Sequence, residues 1–217
     1  MAGQHGVEVK AAAAAAIGSI CVGFVPLFFS GLQKAGLETT SILFFRYVIA
    51  LLILVPIALA RSTGITEEWR RGGAHLYING LILGTAQTFC YFKAIESVPT
   101  SVAVTIFYTY PLATILIDRF VFRLPLYGST VIAAIAVLIG VALTSLPGFG
   151  STHLDPVGLM FAAGSAIGYA VYIAIAYPAT QRVSPFTSAM CIYASMATAF
   201  GLIAFSRGIT LPPAPEW

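Results

Sequence analysis

The sequence predicts an all-α protein that crosses a membrane about seven times. Three observations predict it: a composition too apolar to face water, seven nearly uncharged stretches of spanning length, and turn-forming residues between them. Of 217 residues, 59% are hydrophobic and 9% charged, whereas an average soluble domain is about 25% charged. The mean hydropathy is +0.91, so lipid is the expected solvent.

A membrane helix needs roughly 20 mostly apolar residues. The qualifying stretches are about 11–32, 39–60, 74–93, 97–117, 126–146, 156–178 and 185–206. Span one begins in the Ala11–Ala16 run, where helix propensity is highest. It carries no small-x-small cleavage pattern behind it and is kept as a span rather than a secretory signal. Arg46 is the one charge well inside any stretch, and Lys93 closes span three. Gly36, Ser62-Thr63-Gly64, Pro99, Pro125, Pro147-Gly148 and Ser184-Pro185 punctuate the chain where helices must end. The connections are short except 61–72, so neighbouring helices run antiparallel. The tail from Leu211 to Trp217 holds three prolines and reads as a loop.

Orientation follows from the loop cations. Lys10, Arg61, Arg70, Arg71, Arg119, Arg123 and Arg182 fall on one side, and Lys34, Lys93 and Arg207 on the other. The richer side is the expected cytoplasmic one, which places the N-terminus in the cytoplasm and the multi-pass chain in the cell (inner) membrane. The formal charge of +3 is small and scattered, and nucleic acid is not an expected partner.

An offset of 146 residues superposes Gly18-Ser19 on Gly164-Ser165 and Tyr47 on Tyr193. Span six would then open a second unit, running opposite to span one because five helices per unit is odd. The expected organisation is a five-helix repeat over 11–146 and the beginning of an inverted one over 155–217. Inverted repeats are a mark of secondary transporters.

Several motifs occur in a specific order. Phe44-Phe45-Arg46-Tyr47 lies in span two. Tyr91-Phe92-Lys93-Ala94-Ile95 with Val98-Pro99-Thr100-Ser101-Val102-Ala103 bridges spans three and four. Pro111-Leu112 follows, and Gly140-Val141-Ala142-Leu143 closes span five. This pattern resembles the drug/metabolite transporter superfamily in its EamA-like branch. The resemblance covers about 11–146 well and spans six and seven in pattern only. It implies ten helices, so the seven read here are expected to belong to a longer ten-helix protein. It also implies alternating-access transport of small metabolites or drug-like solutes, as exporter or exchanger. One departure is clear: Phe122 precedes Arg123 where the family usually carries a glutamate.

Polar groups at depth are the candidate solute contacts, because water is absent from the lipid core. They are Ser19, Arg46, Gln87, Tyr91, Thr105, Tyr108, Ser165, Tyr169 and Tyr172. Arg46 lies roughly 10 Å below the outer boundary at about 1.5 Å per residue. It snorkels, binds an anionic group or bonds a neighbouring helix; the sequence leaves the three open. Each Ser or Thr is a cavity group or helix–helix glue. Gln87, Tyr91, Thr105, Tyr108, Ser165 and Tyr169 are the expected lining of a midplane cavity. Pro26, Pro56, Pro111 and Pro178 are read as interruptions of spans one, two, four and six. Gly80-x-x-x-Gly84 and Gly164-x-x-x-Gly168 are read as sites of close backbone approach.

Other chemistry is poorly supplied. Glu8, Glu38, Glu67, Glu68, Glu96, Asp118, Asp155 and Glu216 all sit at loops or helix ends, and His5, His75 and His153 are scattered. Cys21, Cys90 and Cys191 lie in different stretches without metal or disulfide spacing. No cofactor or metal is expected. A seven-helix intramembrane enzyme would need its groups from Glu67–Arg71 or Asp118–Arg123, and a non-transporting subunit or receptor is the other alternative. The bilayer, a small-molecule solute and a second copy in a homodimer are the candidate partners.

Overall fold

The computed structural model describes residue 13 and residues 16–61, 64–123, 128–149 and 154–209. Seven helical runs occur there: α1 (Ala16–Lys34), α2 (Thr39–Arg61), α3 (65–97), α4 (Thr100–Phe120), α5 (Gly128–Phe149), α6 (Pro156–Thr180) and α7 (Pro185–Arg207). Five of them, α1, α2, α4, α6 and α7, are individually long and apolar enough to cross a membrane. The expected turns at Ser62-Thr63 and Pro125, the tail, and Lys10, His5, His153, Glu8 and Glu216 lie outside the described residues.

The helix ends follow from local chemistry. Asp155 caps α6 by accepting from the Val157 and Gly158 N–H groups at 3.1 and 3.3 Å, with Pro156 in the first turn. This satisfies donors that have no partner within the helix. Ser184 caps α7 in the same way, accepting from the Thr187 N–H at 3.2 Å ahead of Pro185. Gly36 follows α1 at φ 88°, a backbone conformation that L side chains rarely adopt.

Three expectations are corrected. The 61–72 connection is mostly helix, because α3 starts at Ile65. Glu67 and Glu68 in its first turn complement the helix dipole, and the Arg71 Nε donates to Glu67 at 3.1 Å one turn on. Pro147-Gly148 does not end α5, which continues to Phe149. Of the four prolines, Pro26 and Pro111 sit in the first turn of new helical segments, whereas Pro56 and Pro178 lie within unbroken helices.

Helix α1 forms one compact unit and residues 39–209 form another. In the larger unit, α2 packs most extensively on α7, and α3 on α6; α6 also meets α4, and α4 meets α5. Its exterior is apolar as well as its interior, unlike that of a water-soluble protein. Leu52, Met160 and Phe205 are 70%, 75% and 69% exposed, while Ser165, Thr187 and Ser195 are fully buried. Large apolar side chains outside, with hydroxyls kept among the buried residues, are what a lipid solvent selects.

Helix α3 is the axis of this unit. Two stretches, Trp69–Gly73 and Gly80–Gly84, are π-helical. A π turn holds more residues than an α turn and re-phases every side chain after it. Both stretches lie where α3 presses on α6 and α7. A β-carbon on Gly72 would come within 2.9 Å of the Ala179 carbonyl oxygen, one on Gly84 within 2.6 Å of the Met196 Cε, and one on Gly80 would collide with the Ser195 hydroxyl. Leu76, Ala176, Ala179, Val183 and Cys191 fill the adjoining core.

Candidate functional site

The site begins with a broken helix. Pro111 has no N–H, so α4 cannot run through it unaltered, and the helix stops at Phe107 and restarts at Tyr110. Local bonds close the gap: the Tyr108 N–H donates to the Val104 carbonyl at 2.9 Å, and the Thr109 hydroxyl donates to the Ile106 carbonyl at 2.7 Å. At about 100° per residue, positions 108 and 110 of a continuous helix would face opposite ways. The break instead leaves the Tyr108 and Tyr110 rings 6.4 Å apart, with Phe107 5.5 Å from Tyr110.

Around this break the rings form one connected set. Tyr91 of α3 lies 4.7 Å from Phe107, and Tyr169 of α6 lies 5.3 Å from Phe107. Tyr110 meets Tyr169 edge to face at 4.7 Å and 86°, and Tyr172 stacks on Tyr169 at 6.0 Å. Each such pair contributes about 0.5–1.5 kcal/mol beyond its burial. The polar tips of the tyrosines turn an otherwise apolar wall into one that also offers hydroxyls.

A second branch leads to the charge. Tyr91 touches Phe92 at 5.2 Å, and the Arg46 guanidinium lies 5.7 Å from the Phe92 ring and 5.3 Å from Tyr47. Tyr47 in turn stacks on Phe200 at 5.9 Å and meets Tyr193 at 5.8 Å. Exposed cation–π contacts contribute about 0.5–1 kcal/mol each, against about 2.5–3.5 kcal/mol for an arginine at the bilayer centre. Two of them offset only part of that cost. Arg46 itself is exposed.

Of the predicted residues, Tyr91, Tyr108, Tyr169 and Tyr172 belong to this aromatic set, and Arg46 joins it through Phe92. Gln87 is buried beside it, donates to the Thr88 hydroxyl at 2.7 Å, and packs its β-carbon where a Gly168 side chain would be. Thr105 and Ser165 direct their hydroxyls back to their own helices, onto the Ser101 and Ala162 carbonyls at 2.8 and 2.7 Å. Ser19 is exposed on α1, in the other compact unit.

Sequence reasoning missed Phe107, Tyr110 and Asn79. Phe107 carries no polar atom and so gave no signal at depth. Tyr110 reaches the site only because the helix breaks. Asn79 did give a signal, as an amide within an apolar stretch like Gln87. It is buried, and its Nδ2 donates to the Tyr172 carbonyl at 3.0 Å across the α3–α6 contact.

Among the described residues no group of three His, Cys, Asp or Glu side chains could hold a metal, and the three cysteines are free thiols. An all-helical unit that is apolar outside and aromatic and polar within is that of a multi-pass membrane protein. The model of the EamA-like transporter family matches residues 9–146. The chain belongs to that family, whose members are membrane transporters of small solutes. No curated protein and no solved structure matches it.

Proposed function

We propose that the protein moves small, partly apolar solutes by alternating access, as an exporter or exchanger, with the aromatic set of α3, α4 and α6 as its solute wall. The observation that carries this reading is the break in α4, which gathers Phe107, Tyr108 and Tyr110 against Tyr91 and Tyr169. Rings with hydroxyl tips suit a solute with an apolar body and a few polar groups. A helix interrupted at that point also has the freedom to bend as access alternates.

The chain is read as two repeats related by inversion, 11–146 and 155–217. One observation supports it. Tyr47 and Tyr193, mates under the 146-residue offset, lie 5.8 Å apart on α2 and α7. An axis relating two antiparallel helices brings a residue against its own mate. The N-terminus is read as cytoplasmic from the loop cations, and Arg70, Arg71 and Arg182 flank the contact in which the Ser184 hydroxyl donates to Glu68 of α3 at 2.9 Å.

The test is solute counterflow in proteoliposomes, with a panel of radiolabelled small aromatic and aliphatic solutes. Saturable uptake of at least one aromatic solute is expected, and Gln87→Leu with Tyr108→Phe lowers it about tenfold or changes which solute is preferred. Uptake that never saturates, or that ignores both substitutions, would overturn the assignment of this wall.

A further inference from the structure

A cavity of ≈ 430 Å³ lies beyond Tyr110, between α4 and α5, with Ile173 of α6 at its edge. Tyr110, Thr114 and Asp118 line it from α4, and Thr130 and Val137 from α5. The volume is within the usual range of small-molecule sites, about 300–1,000 Å³. Tyr110 is shared: one neighbour is the solute wall and the other is this cavity.

The lining is apolar apart from three hydroxyls and one carboxylate. The Thr114 hydroxyl donates to the Tyr110 carbonyl at 3.0 Å. Among the described residues, no hydrogen bond or ion pair reaches Asp118. Arg119, the next residue, is exposed and does not line the cavity. A carboxylate only accepts, so its complement is a donor or a cation. A bare divalent ion is a poor fit, since calcium takes six to eight oxygens and one carboxylate stands among methyl groups. Tyr110 and Asp118 are eight residues apart, about 12 Å along the helix. That separation suits a molecule with a cationic head at Asp118 and an apolar body against the Tyr110 ring.

We propose that the α4–α5 cavity binds amphipathic organic cations, the ammonium at Asp118 and the apolar body between Tyr110, Val137 and Ile173. The site's place on a solute route rests on the transporter reading above. Its ligand chemistry does not.

The experiment is equilibrium binding of radiolabelled benzyltrimethylammonium to the purified chain in detergent. Saturable binding is expected. Asp118→Asn weakens it about tenfold or more, Asp118→Glu restores most of it, and Glu67→Gln leaves it unchanged. Val137→Trp, which fills the cavity without removing the carboxylate, abolishes it. The neutral isostere neopentylbenzene does not compete. Equal binding by the chain and Asp118→Asn, competition by the neutral isostere, or no binding at all overturns the inference. Counterflow of neutral aromatic solutes without cation binding would sink the cation site and leave the transporter reading standing. Asp118-dependent binding without flux of any solute would do the reverse.

Discussion

Helix α3 is built in two contrasting halves. From Gly72 to Gly84 it presses on α6 and α7 with so little room that β-carbons at Gly72, Gly80 and Gly84 would meet Ala179, Ser195 and Met196. From Gln87 to Phe92 it carries large side chains, and Tyr91 and Phe92 contact rings and the Arg46 guanidinium instead of backbone. One half meets α6 and α7 through glycines; the other meets α6 through Gln87, which fits against Gly168, and turns Tyr91 and Phe92 toward other rings. The difference shows how a single helix serves as both a clamp and a wall. The π-helical stretches sit in the clamp and set which face the wall presents.

The sharpest way to break this comparison is at the wall. Tyr169 contacts Phe107, Tyr110 and Tyr172 at once. Tyr169→Ala should lower counterflow more than tenfold, while Tyr169→Phe, which keeps the ring, should stay within about threefold. Equal loss in both variants would assign the function to the hydroxyl and not to the ring set.

The clamp predicts a graded series in thermal unfolding of the detergent-solubilised protein. Gly72→Ala drives a methyl at a backbone carbonyl and should destabilise by about 1–2 kcal/mol, overpacking outweighing the gain in helix propensity. Gly84→Ala meets the flexible end of Met196 and, at 3.3 Å, the Tyr172 ring, and should destabilise less than Gly72→Ala. Gly164 has nothing within 4 Å of its added β-carbon, so Gly164→Ala should stabilise by about 0.5–1 kcal/mol. A uniform response across the three would mean that the close approach is not a determinant of stability.

The smallest effect belongs to the tie at the start of α3, ahead of the apolar stretch. Glu68 holds its carboxyl below the usual value, chiefly through the Thr187 hydroxyl and also through Ser184 and nearby Arg71. A depressed folded value means that the stabilisation is present above the ordinary carboxyl pKa of 4.5. It is lost as pH falls through the folded value. The melting temperature should therefore hold from pH 8 to about 5 and decline below about 4.5, with a shallower decline in Glu68→Gln. Identical acid profiles for the two proteins would remove Glu68 from the tie.

The sequence by itself determined the solvent, the helices and their order. Hydropathy, propensity and turn residues are local properties, so the span over 156–178 and the Ser184-Pro185 boundary after it could be read directly from the chain. The glycine pairs were legible as small residues but not as contacts. Gly80 and Gly84 are both in close approach, Gly168 meets Gln87, and Gly164 meets nothing, because spacing along one helix does not say which helix faces it. Counting residues gave an expected depth for Tyr91, Tyr108 and Tyr169 but not their mutual contact. Only tertiary structure decided that Pro111 breaks its helix while Pro56 and Pro178 do not. It alone placed Phe107 and Tyr110 among the rings, and turned the hydroxyls of Thr105 and Ser165 back on their own helices. The physical reason is the lipid solvent. Outside the protein it offers no hydrogen bonds and little discrimination among apolar faces, so shape complementarity between helices, rather than hydropathy along them, chooses which polar and aromatic groups meet.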